Sequence, residues 1–584
     1  MFFEVFSFQF SVFSFQISVF RFWILDFGFW ILDFGFWIGS LDWDFGLGVC
    51  FVSSFIPVTA PFDEQQRAWL NGFFAGLMGL DLHRVDGGMQ AGLDAAIASG
   101  FTTAGGSSIA APEDFPWHDS AITLDDRMAM VKEKPLERKL MAAMAQLDCG
   151  SCGYLCQTYA EAIASGTESN LTLCSPGGKE TKQMIKLLLK DGAETGSING
   201  HSTATPPVAA TTGFNRKNPF SARLIESRTL NKPGSAKDVR HVVIDLAGSE
   251  LKYDVGDALG IFPVNCHELA SAVVLKLAAD PSTKVRTPLG NTKPLIDAIS
   301  EDCCLREPSE ELLELLSGRV DDSLTRDSFA KLLADGTPAG FDVLDALELA
   351  SRANVTATEV VESLSPLNPR LYSIASSMKK VGHQVHLTVG KVHYESGGRL
   401  RKGVASTMLA DRIPVGETVR VFVQPNHGGF TVPANNDVPM IMVGPGTGIA
   451  PFVAFLQERE SRAAKGKNWL FFGDQHQAKD FLYEDELNHY LRTGLLTRLD
   501  TAFSRDGNAK VYVQDRMREQ ATELWGWLST GANFYVCGDA SRMVADVDKA
   551  LCEVIATHGK MNASVAKDFV KQLASSGRYV RDVY

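Results

Sequence analysis

The sequence predicts a multidomain chain of mixed α+β and α/β class, and three observations support this prediction. Strand-like segments begin after Asn218 and enclose a leucine-rich helical stretch at about 262–362. After Val438, strands and helices alternate, which is typical of a parallel sheet. A cluster of four cysteines precedes the first of these strands. The 584 residues suffice for three or four domains of ordinary size.

Composition restricts the classes of function. The chain is 45% hydrophobic and 21% charged, as expected for a soluble globular protein, and its formal net charge is −13. That charge argues against a nucleic-acid partner. Ten cysteines in a chain of this length do not form a disulfide framework. Clustered thiols persist in a reducing compartment, so we expect a cytoplasmic protein with no membrane partner.

The first 60 residues differ from the rest of the chain. Two seven-residue tandem repeats follow each other, at Val5–Ser11 with Val12–Ser18 and at Phe22–Gly28 with Phe29–Gly35. Aromatic residues at nearly every position do not fit a coiled coil, and recurring aspartates do not fit a membrane span. We interpret residues 1–60 as a translated repeat upstream of the true start. A membrane-associating tail is the alternative.

Segment 61–117 predicts one helix and a linker. Trp69, Phe73 and Leu77 recur at helical spacing, so this helix packs in a core or forms an oligomer or partner contact. Residues 96–116 are rich in Ala, Gly, Thr and Ser, which is typical of a linker.

Segment 118–190 contains the cysteine cluster. Cys149, Cys152 and Cys156 lie within eight residues, and Cys174 follows after seventeen more. Four soft thiolate ligands converging on a small volume are typical of an iron–sulfur cluster, here predicted as a 4Fe–4S cluster. Tetrahedral zinc and buried, unligated thiols remain alternatives.

Residues 191–213 are predicted to form a flexible linker. A segment of this composition and length has a root-mean-square span of about 25–30 Å. We therefore expect the small helical four-cysteine domain to move relative to the chain that follows.

The segment 214–435 contains the candidate flavin motifs. In R-L-Y-S, Arg370 can pair with a diphosphate, Tyr372 can stack on a flavin ring, and Ser373 can hydrogen-bond its reactive edge. Downstream, the residues 403–406 are predicted to open a helix whose free N–H groups bind phosphate. The candidate flavin contacts are Arg370, Tyr372, Ser373, Thr388, Val389, Tyr394, Gly403, Val404, Ala405 and Ser406. In this order and spacing the motifs resemble the FAD domain of the ferredoxin–NADP reductase superfamily, which implies an antiparallel β-barrel.

The segment 436–584 contains a dinucleotide motif. V-G-P-G-T-G after Val438 reads as strand, glycine loop and helix, with Gly446 and Thr447 at the pyrophosphate. Further on, two cations, a hydroxyl and a phenol suit the 2′-phosphate of NADPH, where NADH would require a carboxylate. These four residues are Ser504, Arg505, Lys510 and Tyr512. Cys537 and Asp539 are placed at the carboxyl end of a strand, where such sheets bind ligands.

The chain ends R-Y-V-R-D-V-Y, and from about 218 to 584 it resembles the cytochrome P450 reductase-like family, in particular its sulfite reductase flavoproteins. The resemblance implies that the helical stretch is the family's connecting insertion. It implies that Ser373, Cys537 and Asp582 surround the hydride path. Tyr584 would shield the flavin until nicotinamide displaces it.

One departure from the family is large. The family carries an FMN-binding flavodoxin domain before the FAD domain, and no such sequence is found here. The interval 120–190 instead resembles a small four-cysteine iron–sulfur domain, with one residue fewer between the second and third cysteines. We therefore expect FAD, NADPH and a 4Fe–4S cluster, without FMN.

The resemblance implies a partner and a direction of electron flow. The partner would be a siroheme-type sulfite reductase hemoprotein, which receives electrons singly. A donor to nitrite or nitrate reductase, or to another acceptor, is the alternative within the same enzyme class. A non-catalytic docking relative is the alternative from a different class.

Overall fold

The structure is a computed structural model that describes residues 115, 117–118, 122–146, 154–168, 171, 173–174, 177–194, 213–426, 429–539 and 543–583. The N-terminal repeats lie outside the described residues, as do nearly all of the segment 61–117 with its predicted helix, and Cys149, Cys152 and Tyr584. Within the described ranges, no helix has both the length and the hydropathy needed to span a bilayer.

The four-cysteine segment is helical. Its helices are α1 (Leu124–Met130), α2 (Leu136–Ala143), α3 (Cys156–Ala164) and α4 (Gly178–Glu194). Tyr159 and Ile163 of α3 pack with Leu140 of α2 and Ile185 of α4 in a small apolar core. Helix α4 continues four residues into the segment predicted as a linker.

Ten strands occupy the next part of the chain. They are β1 (Phe220–Thr229), β2 (Val239–Asp245), β3 (Ala258–Phe262), β4 (Lys284–Arg286), β5 (Thr292–Pro294), β6 (Arg370–Ser373), β7 (Gln384–Gly390), β8 (His393–Ser396), β9 (Arg399–Lys402) and β10 (Thr418–Gln424). Six of them form an antiparallel sheet in the order β6–β3–β10–β1–β2–β7. A bridge from Ile374 to Leu387 connects its two edges, which closes the sheet towards a barrel. Strands β4 and β5 pair with each other, as do β8 and β9.

A helical insertion interrupts this sheet between β3 and β6. Its helices are α5 (His267–Lys276), α6 (Leu295–Glu301), α7 (Glu310–Arg319), α8 (Ser323–Asp335), α9 (Val343–Leu349) and α10 (Ala357–Ser363). Polar N-caps begin four of them, which satisfies backbone donors at each start. The insertion buries its own leucine-rich core, so it is a packed layer beside the sheet. A short helix, α11 (Met378–Val381), follows β6.

The C-terminal part is a five-stranded parallel sheet in the order β13–β12–β11–β14–β15. Its strands are β11 (Met440–Val443), β12 (Asn468–Asp474), β13 (Arg498–Phe503), β14 (Asn533–Gly538) and β15 (Tyr579–Val583). Its helices are α12 (Ala450–Ser461), α13 (Gln477–Asp480), α14 (Glu484–Thr493), α15 (Val513–Glu519), α16 (Ala521–Ser529), α17 (Met543–His558) and α18 (Ala563–Ser575). Apolar cores lie on both faces, because alternate side chains of the central strands enter different clusters. The predicted combination of an antiparallel sheet with a C-terminal parallel sheet is confirmed.

A charged contact connects the four-cysteine domain to the insertion. Lys182 Nζ lies 2.7 Å from Glu310 Oε2, and Lys186 Nζ lies 3.4 Å from the same oxygen. The hydrogen bond from Lys182 is the main cause that lowers the pKa of Glu310. We name this contact between α4 and the start of α7 the Glu310 latch.

Candidate functional site

A cavity of about 630 Å³ lies between the antiparallel sheet and the helical insertion. Arg370, Tyr372, Tyr394 and the residues 403–406 all line it. Residues separated by more than thirty positions in the sequence therefore meet around one space. Burial raises the pKa of Tyr372, so its phenol stays protonated at neutral pH.

Arg370 offers a positive charge to this cavity. Its Nη1 donates to the carbonyl oxygen of Asn368 at 2.7 Å, which fixes the guanidinium in place. Burial lowers its pKa. Within the part of the chain that the structure describes, no carboxylate pairs with Arg370. A half-buried, unneutralised guanidinium suits a diphosphate.

Gly403 is required by a close approach of the chain. A Cβ at this position would lie 2.5 Å from Ser406 Oγ and 2.8 Å from Val392 Cβ. Ser406 Oγ accepts a hydrogen bond from Val392 N at 3.1 Å. The chain then enters a helical turn that includes the π-helical segment Met408–Arg412. These contacts fix the turn at residues 403–406, which lines one side of the cavity.

Four further cations line the cavity and were not predicted from the sequence, namely Arg306, Arg399, Arg401 and Lys402. Arg399 Nη2 lies 2.6 Å from Asp342 Oδ1, and Arg401 Nη2 lies 2.7 Å from Asp345 Oδ2. Each arginine also contacts the other aspartate. This ion cage anchors the β8–β9 hairpin on helix α9. The run R-L-R-K between two flavin motifs was the signal that could have identified the last three of these cations.

The structure places neither Thr388 nor Val389 at the cavity. Thr388 Oγ1 lies 2.7 Å from the hydroxyl of Tyr483, and Val389 is buried in the core of the antiparallel sheet. The neighbouring Gly390 lines the cavity instead. The side chain of Thr388 is engaged by the parallel-sheet domain. The flavin contact expected for Thr388 and Val389 stays a prediction.

Ser373, Cys537 and Asp582 converge on one carboxylate oxygen. Ser373 Oγ donates to Asp582 Oδ2 at 2.7 Å, and Cys537 Sγ lies 3.8 Å from the same oxygen. Cys537 and Asp582 are register partners on β14 and β15. Burial raises the pKa of Cys537 well above its usual value and also raises the pKa of Asp582. The thiol is therefore neutral at pH 7 and can donate a hydrogen bond.

The loop after β11 requires its glycines for packing and for backbone conformation. A Cβ at Gly444 would lie 2.6 Å from the carbonyl oxygen of Gly448, and one at Gly448 would lie 2.2 Å from the carbonyl oxygen of Cys537. Gly446 has a φ of 57°, which favours glycine. The loop can therefore lie against β14, with its backbone at the carboxyl edge of the sheet.

The residues predicted for the 2′-phosphate follow β13. Ser504 N donates to the carbonyl oxygen of Asp474, and Arg505 N donates to that of Gln475, both at 2.9 Å. The side chains of Arg505 and Lys510 have no carboxylate partner among the described residues. Tyr512 begins helix α15 as its N-cap. Asp539 directly follows β14 at the same edge of the sheet.

Two of the four clustered cysteines are described. Cys156 is the first residue of α3 and is buried, and Cys174 is half-buried. A Cβ at Gly177 would lie 3.1 Å from Cys174 Sγ, so the backbone passes close to this thiol. Considering only residues that the structure describes, no group of three metal-ligating side chains is found. The four-cysteine centre stays a prediction, because Cys149 and Cys152 lie outside them.

Two known domain families match parts of this chain. Residues 212–408 match the FAD binding domain family, and residues 442–549 match the oxidoreductase NAD-binding domain family. The chain is similar to the sulfite reductase (NADPH) flavoprotein alpha-components of three bacteria. Identity is 44% over 398 residues for Klebsiella pneumoniae, covering 65% of each chain. It is 43% over 383 residues for Aliivibrio fischeri, covering 65% of this chain and 62% of the relative.

The match to Bacillus subtilis is longer. It has 38% identity over 491 residues and covers 80% of this chain and 79% of the relative. The chain thus spans slightly less than two thirds of the first two relatives and more than three quarters of the third. By this similarity, the chain belongs to the sulfite reductase (NADPH) flavoprotein alpha-component family.

Proposed function

We propose that this chain is an NADPH-oxidising flavoprotein subunit of an assimilatory sulfite reductase, which passes electrons singly to a separate hemoprotein. The observation that carries the proposal is the convergence of Ser373, Cys537 and Asp582. One residue comes from the sheet that borders the flavin cavity. The other two come from the carboxyl edge of the nucleotide-binding sheet.

The cavity beside β6 fits FAD. It contains the unneutralised charge of Arg370, the aromatic rings of Tyr372 and Tyr394, and the backbone turn at Gly403. When bound, FAD accepts two electrons as hydride from NADPH and releases them one at a time. The β8–β9 hairpin, held by the ion cage on α9, would cover the cofactor and exclude water.

Ser373 and Cys537 would orient the reacting rings through Asp582. Both side chains direct their hydrogen toward the same carboxylate oxygen, so their own oxygen and sulfur atoms have fixed directions. Pre-set alignment of this kind lowers the barrier to hydride transfer. Tyr584 would shield the ring, since the preceding residue, Val583, pairs with Gly538 beside this group.

NADPH would bind across the glycine loop at Gly446 and Thr447. Its 2′-phosphate would lie against Ser504, Arg505, Lys510 and Tyr512. The two cations lack carboxylate partners among the described residues, which supports an anionic ligand there. Asp539 would contact the nicotinamide half from the end of β14.

Cys149, Cys152, Cys156 and Cys174 would hold a 4Fe–4S cluster in place of FMN. A cluster of this kind carries one electron at a time. The burial of Cys156 and the close approach of the backbone to Cys174 support a shielded ligand set. The Glu310 latch would hold this domain against the insertion, and the linker would release it towards the hemoprotein.

The test uses the full chain purified without oxygen. We expect one FAD, about four iron atoms with acid-labile sulfide, and no FMN per chain, with bleaching of the flavin by NADPH. A siroheme sulfite reductase hemoprotein should then reduce sulfite at the expense of NADPH. Turnover with nitrite alone would assign a different acceptor, and a colourless protein would favour a docking relative. Bound zinc, or two flavins per chain, would refute the proposal that the four cysteines hold a 4Fe–4S cluster in place of FMN.

A further inference from the structure

Tyr483 has a backbone conformation that is unfavourable for a residue with a side chain. Its φ of 55° and ψ of 30° are left-handed, at the position that caps helix α14. The side chain is only 4% exposed. Tertiary contacts must therefore hold Tyr483 in place.

The contacts come from the antiparallel sheet. The hydroxyl of Tyr483 lies 2.7 Å from Thr388 Oγ1 and 3.0 Å from His241 Nδ1. Thr388 and His241 are directly opposite each other on β7 and β2. Burial raises the pKa of Tyr483, so the phenol keeps its proton. One hydroxyl of the nucleotide-binding domain is thus held by a cross-strand pair of the other domain.

A second histidine supports this pair. The ring of His386 lies edge-on to that of His241, with centroids 4.9 Å apart. Burial lowers the pKa of His241 to about 3 and that of His386 to about 4. Both rings are neutral at pH 7, so His241 can exchange a hydrogen bond with a neutral phenol.

Polar contacts surround Tyr483 on the segment 480–486. Lys232 Nζ lies 2.5 Å from Glu484 Oε2, and Arg228 Nη2 lies 3.3 Å from Glu486 Oε1. Asn231 Nδ2 donates to Asp480 Oδ1 at 2.9 Å, in a buried position. The whole segment therefore docks on the antiparallel sheet as one unit.

Strand β7 connects this contact with the flavin cavity and the nucleotide loop. Gly390, two residues after Thr388, lines the flavin cavity. A Cβ on Gly390 would lie 3.4 Å from Thr447 Cγ2 in the glycine loop. A shift at Thr388 would therefore move the wall between the two sites.

We infer that Tyr483 is a positioning residue that fixes the nucleotide-binding sheet in one orientation against the FAD domain. It acts through Thr388 and His241, and the glycine loop is thereby preset for hydride transfer before NADPH binds. The inference rests on the proposed function, because it concerns the alignment of NADPH with FAD.

The test is Tyr483→Phe in the full, FAD-loaded chain, with Tyr490→Phe as the matched control. Tyr490 is also buried and lies on α14, and its hydroxyl has no hydrogen bond to any described residue. Flavin reduction is followed in a single turnover with saturating NADPH and with NADPH deuterated at the transferred position. We expect Tyr483→Phe to slow reduction about tenfold and to raise the isotope effect, with the KM for NADPH unchanged within about twofold. Tyr490→Phe should match the wild type.

A second variant tests the coupling. Thr388→Val should slow reduction about threefold, and adding it to Tyr483→Phe should slow reduction no further. If the Tyr483→Phe protein fails to retain FAD, the rate of flavin reduction in Thr388→Val alone tests the positioning role, and a wild-type rate in that variant would overturn it. Normal reduction by a FAD-loaded Tyr483→Phe protein, or multiplicative losses in the double variant, would overturn the positioning role. A wild-type protein that binds FAD but is not reduced by NADPH would instead overturn the proposed function.

Discussion

Ser373 and Asp582 are joined by a 2.7 Å hydrogen bond although they are 209 residues apart and belong to different sheets. Cys537, the register partner of Asp582, reaches the same carboxylate oxygen. The carboxyl group of Asp582, which is half-buried, therefore connects the two sheets.

Ser373→Ala should slow flavin reduction by NADPH by roughly ten- to a hundredfold, because the ring loses an oriented hydroxyl. NADPH affinity should change little, since the residues proposed to bind the 2′-phosphate are untouched. Stopped-flow reduction of the FAD-loaded chain measures both quantities. Ser221→Ala, an exposed serine on β1, is the control. Equal rates for both variants would show that the hydroxyl has no role in alignment.

Asp582→Asn should increase the free energy of unfolding at pH 7 while it slows flavin reduction. Burial raises the pKa of Asp582, so the folded state binds its proton more tightly than the unfolded state. Stability from this group is complete below the unfolded pKa and is lost as the pH rises through the folded pKa. We expect a gain in stability at pH 7 that disappears as the pH falls through the folded pKa of Asp582.

Urea unfolding at pH 7 and at a series of lower pH values measures this difference. Asp568→Asn, at an exposed position on α18, is the control and should change neither stability nor rate. An Asp582→Asn protein that is less stable than the wild type at pH 7 would contradict the sign of the pKa shift.

The histidine pair should make the protein sensitive to mild acid. His241 and His386 have folded pKa values of about 3 and about 4, below their ordinary value. The unfolded state therefore binds more protons, and stability falls as the pH drops below about 6.5. Between pH 7 and pH 5 the expected loss is about 2 kcal/mol for each histidine.

The double variant His241→Gln with His386→Gln should flatten this part of the stability profile. Urea unfolding midpoints measured every half pH unit between pH 7 and pH 5 give the slope of stability against pH. The exposed His267, changed to Gln, should leave the slope unchanged. If the slope of the wild type persists in the double variant, other groups cause the acid sensitivity.

The ion pairs of the Glu310 latch should weaken as the salt concentration rises. Glu310→Gln removes the acceptor of Lys182 and Lys186, a contact worth about 0.5–1 kcal/mol. We expect faster proteolysis within 195–212 at low salt, whereas the wild type should reach that rate only at high ionic strength. Glu311→Gln, at the next position on the same helix, is the matched control. Salt-independent cleavage of the wild type would exclude an electrostatic latch.

Local patterns predicted much of the fold. The strand, glycine loop and helix at Val443 and Gly446 follow from consecutive residues, and so does the alternation of strands and helices up to β15. R-L-Y-S could be singled out because Arg370, Tyr372 and Ser373, the three residues proposed to contact the flavin, occupy one short strand. The local conformation of such segments can be predicted, because the alternation of side chains along a strand and the backbone conformations open to glycine are local properties of the chain.

Thr388 shows what a local pattern leaves open. Its position between R-L-Y-S and Tyr394 predicts a flavin contact, and only the structure shows that its hydroxyl lies against Tyr483. Arg399 and Arg401 were missed for a related reason, because their aspartate partners lie more than fifty residues earlier. Nothing near a residue in the sequence indicates which distant element will face it.

The sequence alone was enough to predict an antiparallel sheet followed by a parallel sheet, the residue types at the candidate flavin and nucleotide motifs, and the spacing of the four cysteines. The contact of Ser373 with Asp582, and that of Tyr483 with His241 and Thr388, became visible only in the folded chain. These contacts depend on how the two sheet domains pack against each other. Packing is a property of whole buried faces, which no local run of residues encodes.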